Sequence, residues 1–230
     1  MSPSRWEKIL NERDWLLADG ATGTNYFAMG LQSGDSPELW NIDRPDRVAS
    51  LHRQFVESGA DIILTNSFGG SAYRLKLHQA ESRVRELNYA AAQIARGIAD
   101  VSERQVIIAG SIGPTGEILE PIGSLSIADA TAAFEEQAAA LVDGGVDIIW
   151  LETMSSKEEL QAAGVGAAKA ETPIVATMTF DTNGSTMMGV PPAQLVDIYH
   201  ATVPRLAAYG ANCGVGAADL IGTISAMRRH

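Results

Sequence analysis

Short apolar blocks bounded by turn residues alternate along the chain with longer stretches whose apolar positions recur at helical spacing. The blocks cover residues 15–18, 61–65, 106–109, 147–151, 174–178 and 206–213, and they are rich in β-branched residues without polar alternation. That continuity predicts buried strands of a parallel sheet, since a strand covered by helices on one face and core on the other has no wet side. The helical spacing covers 44–58, 79–100, 127–143, 157–169 and 192–202, with a last pattern at 217–229. Ser126 with Asp129 predicts an N-cap with an acidic first turn, and Pro191-Pro192 a helix start. Gly59 and Gly144-Gly145 predict helix stops.

Two segments repeat one another. Phe55-Val-Glu-Ser-Gly-Ala-Asp-Ile-Ile-Leu and Leu141-Val-Asp-Gly-Gly-Val-Asp-Ile-Ile-Trp both read helix end, glycine, small residue, aspartate, strand. A recurring α-to-β junction suits a barrel of parallel strands and outer helices. A closed barrel takes eight strands in about 250 residues. Six strands are legible here, which leaves an open doubly wound sheet or a barrel without its last quarter; the expectation is a (β/α)8 barrel truncated after about six β/α units, with one barrel domain over residues 1–230.

Composition narrows the function. The chain carries a formal net charge of −11 and no Lys/Arg-rich run, which argues against nucleic acid and anionic membrane as partners. No apolar run reaches the roughly 18–20 residues of a membrane span, and the first residues lack the apolar core of a signal peptide. A single cysteine in 230 residues leaves no internal disulfide. These features lead us to expect a cytoplasmic protein, with a homo-oligomer left open.

The candidate chemistry follows the apolar blocks. Asp19-Gly-Ala-Thr-Gly-Thr24 follows the first. Its small residues let backbone N–H groups approach a carboxylate, and Asp19 can accept from an ammonium; a tight turn capped by Asp19 is the plainer alternative. Thr65-Asn-Ser-Phe-Gly-Gly70 and Gly110-Ser-Ile-Gly-Pro-Thr-Gly116 follow the second and third. Glu152 directly follows the fourth, near the strand tops with Asp19 or else in a cap or salt bridge. Cys213 ends the sixth within Gly210-Ala-Asn-Cys-Gly-Val-Gly216, either as a reactive thiol or as a buried structural cysteine. The histidines at 52, 78, 200 and 230 have no metal or triad spacing, and His52 and His78 read as surface or satisfied residues. Met187 and Met188 pack a loop or line a pocket for a sulfur amino acid.

Five of these motifs, Asp19-Gly-Ala-Thr-Gly-Thr, Thr65-Asn-Ser-Phe, Gly110-Ser-Ile-Gly-Pro-Thr-Gly, Trp150-Leu-Glu-Thr and Gly210-Ala-Asn-Cys-Gly, together resemble the homocysteine S-methyltransferases in order and spacing over nearly the whole chain. The strongest likeness is to bacterial proteins labelled betaine–homocysteine S-methyltransferase. The resemblance implies a (β/α)8 barrel holding Zn2+ through three thiolates, with Cys213 as the first ligand and the other two expected beyond residue 230. It implies that Asp19 and Glu152 hold the homocysteine amino group and that the N–H groups of Gly20 and Ala21 take its carboxylate. It implies methyl transfer from betaine or a related onium donor to the homocysteine thiolate, giving methionine, with methylfolate/cobalamin or S-methylmethionine as alternative donors. The animal pattern of donor-binding aromatics is absent, and Trp40, Phe68 and Tyr73 are the substitutes on offer. Two other readings stand beside this one: a non-catalytic amino-acid-binding barrel fragment, and an unrelated barrel enzyme with Glu152 as base, for which no strand-end lysine is present.

Overall fold

A computed structural model describes residues 4–204 and 206–228. His230 and the Arg229 end of the last helical pattern lie outside the described residues, as do the first three residues. Five strands, β1 (Ile62–Leu64), β2 (Ile107–Ile112), β3 (Ile148–Met154), β4 (Ile174–Met178) and β5 (Leu206–Ala211), run parallel in sequential order. Among the described residues ten α-helices accompany them: α1 (Arg5–Glu12), α2 (Gly23–Ala28), α3 (Trp40–Asp43), α4 (Pro45–Glu57), α5 (Ala72–Leu75), α6 (Val84–Asp100), α7 (Ile127–Gly144), α8 (Lys157–Ala168), α9 (Pro192–Thr202) and α10 (Ala217–Met227). Sequential parallel order with helical crossovers is the winding of a (β/α) barrel. Among the described residues the sheet is an open arc.

Alternation along each strand sorts residues between two cores. Ile63, Ile108, Ile149, Leu151, Ile174 and Ala176 face the helices and join Ala92, Ala95, Phe134, Leu141 and Ala163. Ile62, Ile107, Ala109, Ile148 and Val175 face the concave side, where Trp6 and Ile9 of α1 pack against them. Period two then carries that concave side up to the strand tops, from Ala109 to Ser111 and from Ile148 through Trp150 to Glu152.

The repeated aspartates have a shared structural role. The Asp147 carboxylate accepts from the N–H of Ile108 on the preceding strand at 2.8 Å and pairs with Arg96 at 2.9 Å. Asp61 likewise accepts from the N–H of Leu17 at 3.0 Å and pairs with Arg13 and Arg104. Asp147 thereby satisfies a donor at the start of β2 that would otherwise be buried unpaired, and Asp61 ties the segment before Ala18 to the same edge.

The first block forms no full strand. It meets the sheet through an isolated parallel bridge from Ala18 to Ile62 and through hydrogen bonds from the Asp61 and Ile62 N–H groups to Leu17 O. Trp15 is 72% exposed and Leu17 48% exposed, so this segment lies on an edge with little to cover it. The helix expected from residue 79 starts at Val84 instead, because Gln79 is left-handed at φ 56° and ends the preceding turn. The caps fall where expected: Ser126 Oγ accepts from the Asp129 N–H at 3.0 Å, α9 begins at Pro192, and Gly145 ends α7 at φ 102°.

Candidate functional site

A pocket of about 660 Å3 opens at the C-terminal ends of the strands, and Asp19, Gly20, Ala21, Glu152 and Cys213 all line it. Asp19 arrives with the chain rising beside β1: its N–H donates to Ile62 O at 2.9 Å and its Oδ2 accepts from Leu64 N–H at 2.9 Å. Glu152 stands at the top of β3, where Ser111 of β2 donates to its Oε1 at 2.5 Å. Ser111 is held in turn, its N–H donating to Thr65 Oγ1 at 3.0 Å and its carbonyl accepting from Ser67 Oγ at 2.7 Å.

The two carboxylates share one environment. Burial pushes Asp19 up to about 7, the Leu64 N–H opposes that shift, and the charge of Glu152 adds to it. Burial also raises Glu152, against the hydrogen bond from Ser111. No Lys or Arg forms a salt bridge with either among the described residues. Beside them, the N–H groups of Gly20 and Ala21 have no hydrogen-bond partner among the described residues. An adjacent carboxylate pair and free N–H groups match the ammonium and carboxylate of an α-amino acid.

Cys213 is exposed, which rules out the buried structural reading. It adopts φ 57°, and Asn212 Nδ2–H donates to its Sγ at 3.2 Å. Among the described residues no group of three or more His, Cys, Asp or Glu side chains is placed to hold a metal. One thiolate does not make a zinc site, so the described residues alone do not fit the ion.

The loop after β1 forms a further part of the wall. Glu38, buried, accepts from the Gly69 N–H at 2.7 Å and from Ser36 Oγ at 2.5 Å. Asn88 Nδ2–H donates to Gly70 O at 2.8 Å, and Gln137 Nε2–H donates to Ser67 O at 2.7 Å. Phe68 lines the pocket, as do Arg74, His78 and Trp150.

Several expectations need correcting. His78, read as a surface or satisfied side chain, is a pocket residue. His52 is 2% exposed and neither ring nitrogen has a hydrogen-bond partner among the described residues, so it is neither. Trp40 packs on Tyr26 in a separate cluster, and Tyr73 packs against the helix-side core; neither lines the pocket. Met187 and Met188 are exposed and also stay outside it. Glu38 and Arg74 also line the pocket, and no apolar block directly before either points to it in the sequence.

A model of the family described as homocysteine S-methyltransferase matches residues 16–230. The chain belongs to that family. Methionine synthase of Mycobacterium tuberculosis is 32% identical over 238 residues, covering 96% of this chain and 20% of the relative. Methionine synthase of Mycobacterium leprae is 29% identical over 231 residues, covering 94% and 19%. The chain therefore spans about a fifth of the length of these relatives. The crystal structure of the homocysteine methyltransferase MmuM from Escherichia coli in its metallated form superposes with a TM-score of 0.82 at 21% identity, over 95% of this chain and 81% of that one. This likeness establishes the barrel fold. No helix among the described residues is long and apolar enough to cross a membrane.

Proposed function

We propose that this chain binds homocysteine and presents its sulfur to a small methyl donor, as part of a homocysteine S-methyltransferase. The observation that carries the reading is the Asp19–Glu152 pair, with no salt-bridged cation against it among the described residues, beside N–H groups of Gly20 and Ala21 that have no hydrogen-bond partner there. Two carboxylates brought together at a cost of desolvation and repulsion call for a cation, and an amino acid's ammonium supplies it while its carboxylate turns to the backbone donors. The side chain of a substrate so held extends within the pocket that Cys213 also lines.

In the reaction, the substrate sulfur, as thiolate, forms a bond to the methyl carbon as the bond from carbon to the onium nitrogen or sulfur breaks. The electron pair leaves with the departing amine or sulfide, which is neutral, so no general acid is required. The residues of this chain bind and orient; they do not move a proton onto the leaving group. The reading includes Zn2+ with Cys213 as one ligand, as the family resemblance implies, and the exposure of that thiol at the strand tops supports a ligand role. It also includes betaine as the donor and a cytoplasmic setting.

Calorimetric titration with homocysteine tests the binding step. Asp19→Asn and Glu152→Gln should each weaken affinity about 10- to 100-fold, the loss of one charge-assisted hydrogen bond. Unchanged affinity in both variants rejects the assignment.

A further inference from the structure

The pocket holds a second unsatisfied charge, of opposite sign. Arg74 of α5 lines it half-buried, and among the described residues its guanidinium has neither an ion pair nor a hydrogen bond. Arginine carries five donors in a planar fork that matches a carboxylate bidentately. This one is seated deliberately by the loop after β2. A Cβ at Gly116, which sits at φ 82°, would lie 3.0 Å from Arg74 Nη1 and 3.2 Å from its Cδ. Three residues earlier, a Cβ at Gly113 would lie 2.5 Å from the ring of Phe68. The two glycines thus form one cradle for two pocket-lining side chains, an aromatic ring and a cation.

Asp19 and Glu152 line the same pocket, yet neither pairs with Arg74. The homocysteine carboxylate already has the Gly20 and Ala21 N–H groups next to Asp19. Arg74 therefore remains for a second anionic group. We propose that Arg74 anchors the carboxylate of the methyl donor, and so selects donors that carry a cationic methyl-bearing centre and an anionic tail. This rests on the homocysteine reading above and adds to it the residue that recognises the second substrate. Phe68, in the adjoining seat, supplies an aromatic ring of the kind that attracts an onium methyl group.

Calorimetry on the full chain, wild type against Arg74→Gln, separates the possibilities with three probes: betaine, choline (the same trimethylammonium with a hydroxyl tail) and homocysteine. We expect wild type to prefer betaine over choline, Arg74→Gln to weaken betaine about 10- to 100-fold, and Arg74→Lys to recover part of the loss, since lysine keeps the charge but not the fork. Choline and homocysteine should move by less than about twofold, and retained homocysteine binding shows that the variant is folded. If homocysteine weakens instead of betaine, Arg74 serves the amino acid and the donor role is overturned. If wild type does not distinguish betaine from choline, the donor role is likewise overturned, while homocysteine binding still reports separately on the function proposed for Asp19 and Glu152.

Discussion

Asn212 and Thr153 exchange two hydrogen bonds over the end of β4: the Thr153 N–H donates to Asn212 Oδ1 at 2.9 Å, and Asn212 Nδ2–H donates to Thr153 Oγ1 at 2.8 Å. The Asn212 N–H is itself fixed to Met178 O at 3.1 Å. The pair matters because both strand tips are strained. Thr153, β-branched, sits at φ 63°, and Cys213 at φ 57°, in a region L residues avoid at a cost of about 1–2 kcal/mol. The irregularity in β3 between Leu151 and Met154 falls just where Glu152 leaves the sheet for the pocket. One asparagine thus holds the turn that aims Glu152 and the turn that presents Cys213.

Asn212→Ala should remove both bonds and let the two tips relax. We expect a loss of about 1–3 kcal/mol in chemical denaturation and a changed alkylation rate at Cys213, the chain's single thiol. An unaltered denaturation midpoint together with an unaltered rate would show that the pair restrains nothing.

The parts of this arrangement that were legible in sequence share one property: they follow a local pattern. β1 to β5 and helices α4 and α7 to α10 each stand on a run of apolar residues at strand or helix spacing. Asp19, Glu152 and Cys213 stand out because each ends an apolar block, and such ends collect at one rim of a parallel sheet. The first block failed as a strand because pairing is not a local property; residues 15–18 have the composition of a strand, but their pairing with β1 goes no further than an isolated bridge at Ala18. Arg74, His78 and Glu38 reach the pocket from single short helical turns, Arg74 and Glu38 against Gly116 and Gly69, which are distant in sequence. His52 shows the converse limit. Its helical position is clear, but nothing in its neighbours says that the facing core offers it no partner.

Gly70 permits the contact that pins the loop after β1. A Cβ there would lie 2.4 Å from Asn88 Oδ1 and 2.8 Å from Gln137 Nε2, on buried side chains held by hydrogen bonds. Neither can retreat without losing its bond to that loop. Gly70→Ala should therefore cost about 1–3 kcal/mol and weaken homocysteine binding by displacing Ser67, which supports Ser111 beneath Glu152. Thermal unfolding and titration together check this, and a variant matching wild type in both would refute the pinning role.

His52 makes the fold sensitive to acid. Burial lowers it from 6.5 to about 4, so the folded state keeps the ring neutral while the unfolded chain takes up a proton below about 6.5. Its contribution is whole above that pH and is lost progressively down to about pH 4, on the order of 3 kcal/mol in all. His52→Leu should be more stable than wild type at pH 4.5, with an advantage that shrinks as pH rises toward 7. Denaturation curves for the two proteins from pH 4 to 8 provide the test; a constant difference would mean that the imidazole does not titrate on unfolding.

Asp19 runs in the opposite direction and joins stability to binding. An aspartate raised from 3.8 to about 7 keeps in the fold a proton that the unfolded chain has released. The unliganded fold therefore loses stability as pH climbs through that window, and above about pH 7 it bears the full penalty of an ionised Asp19 beside Glu152. The open pocket screens part of this, leaving about 1–2 kcal/mol. Asp19→Asn should accordingly stabilise the unliganded protein at pH 8 and confer no such gain near pH 4, even as it impairs homocysteine binding. In wild type the ammonium requires the carboxylate, so affinity should rise with pH up to about 7 and then level off. Below pH 7 binding should release a proton, visible as a calorimetric enthalpy that varies with the ionisation enthalpy of the buffer. A variant destabilised at pH 8, or binding without proton release at pH 6, would show that Asp19 is an ordinary turn cap and not a group held out of balance until the substrate's charge arrives.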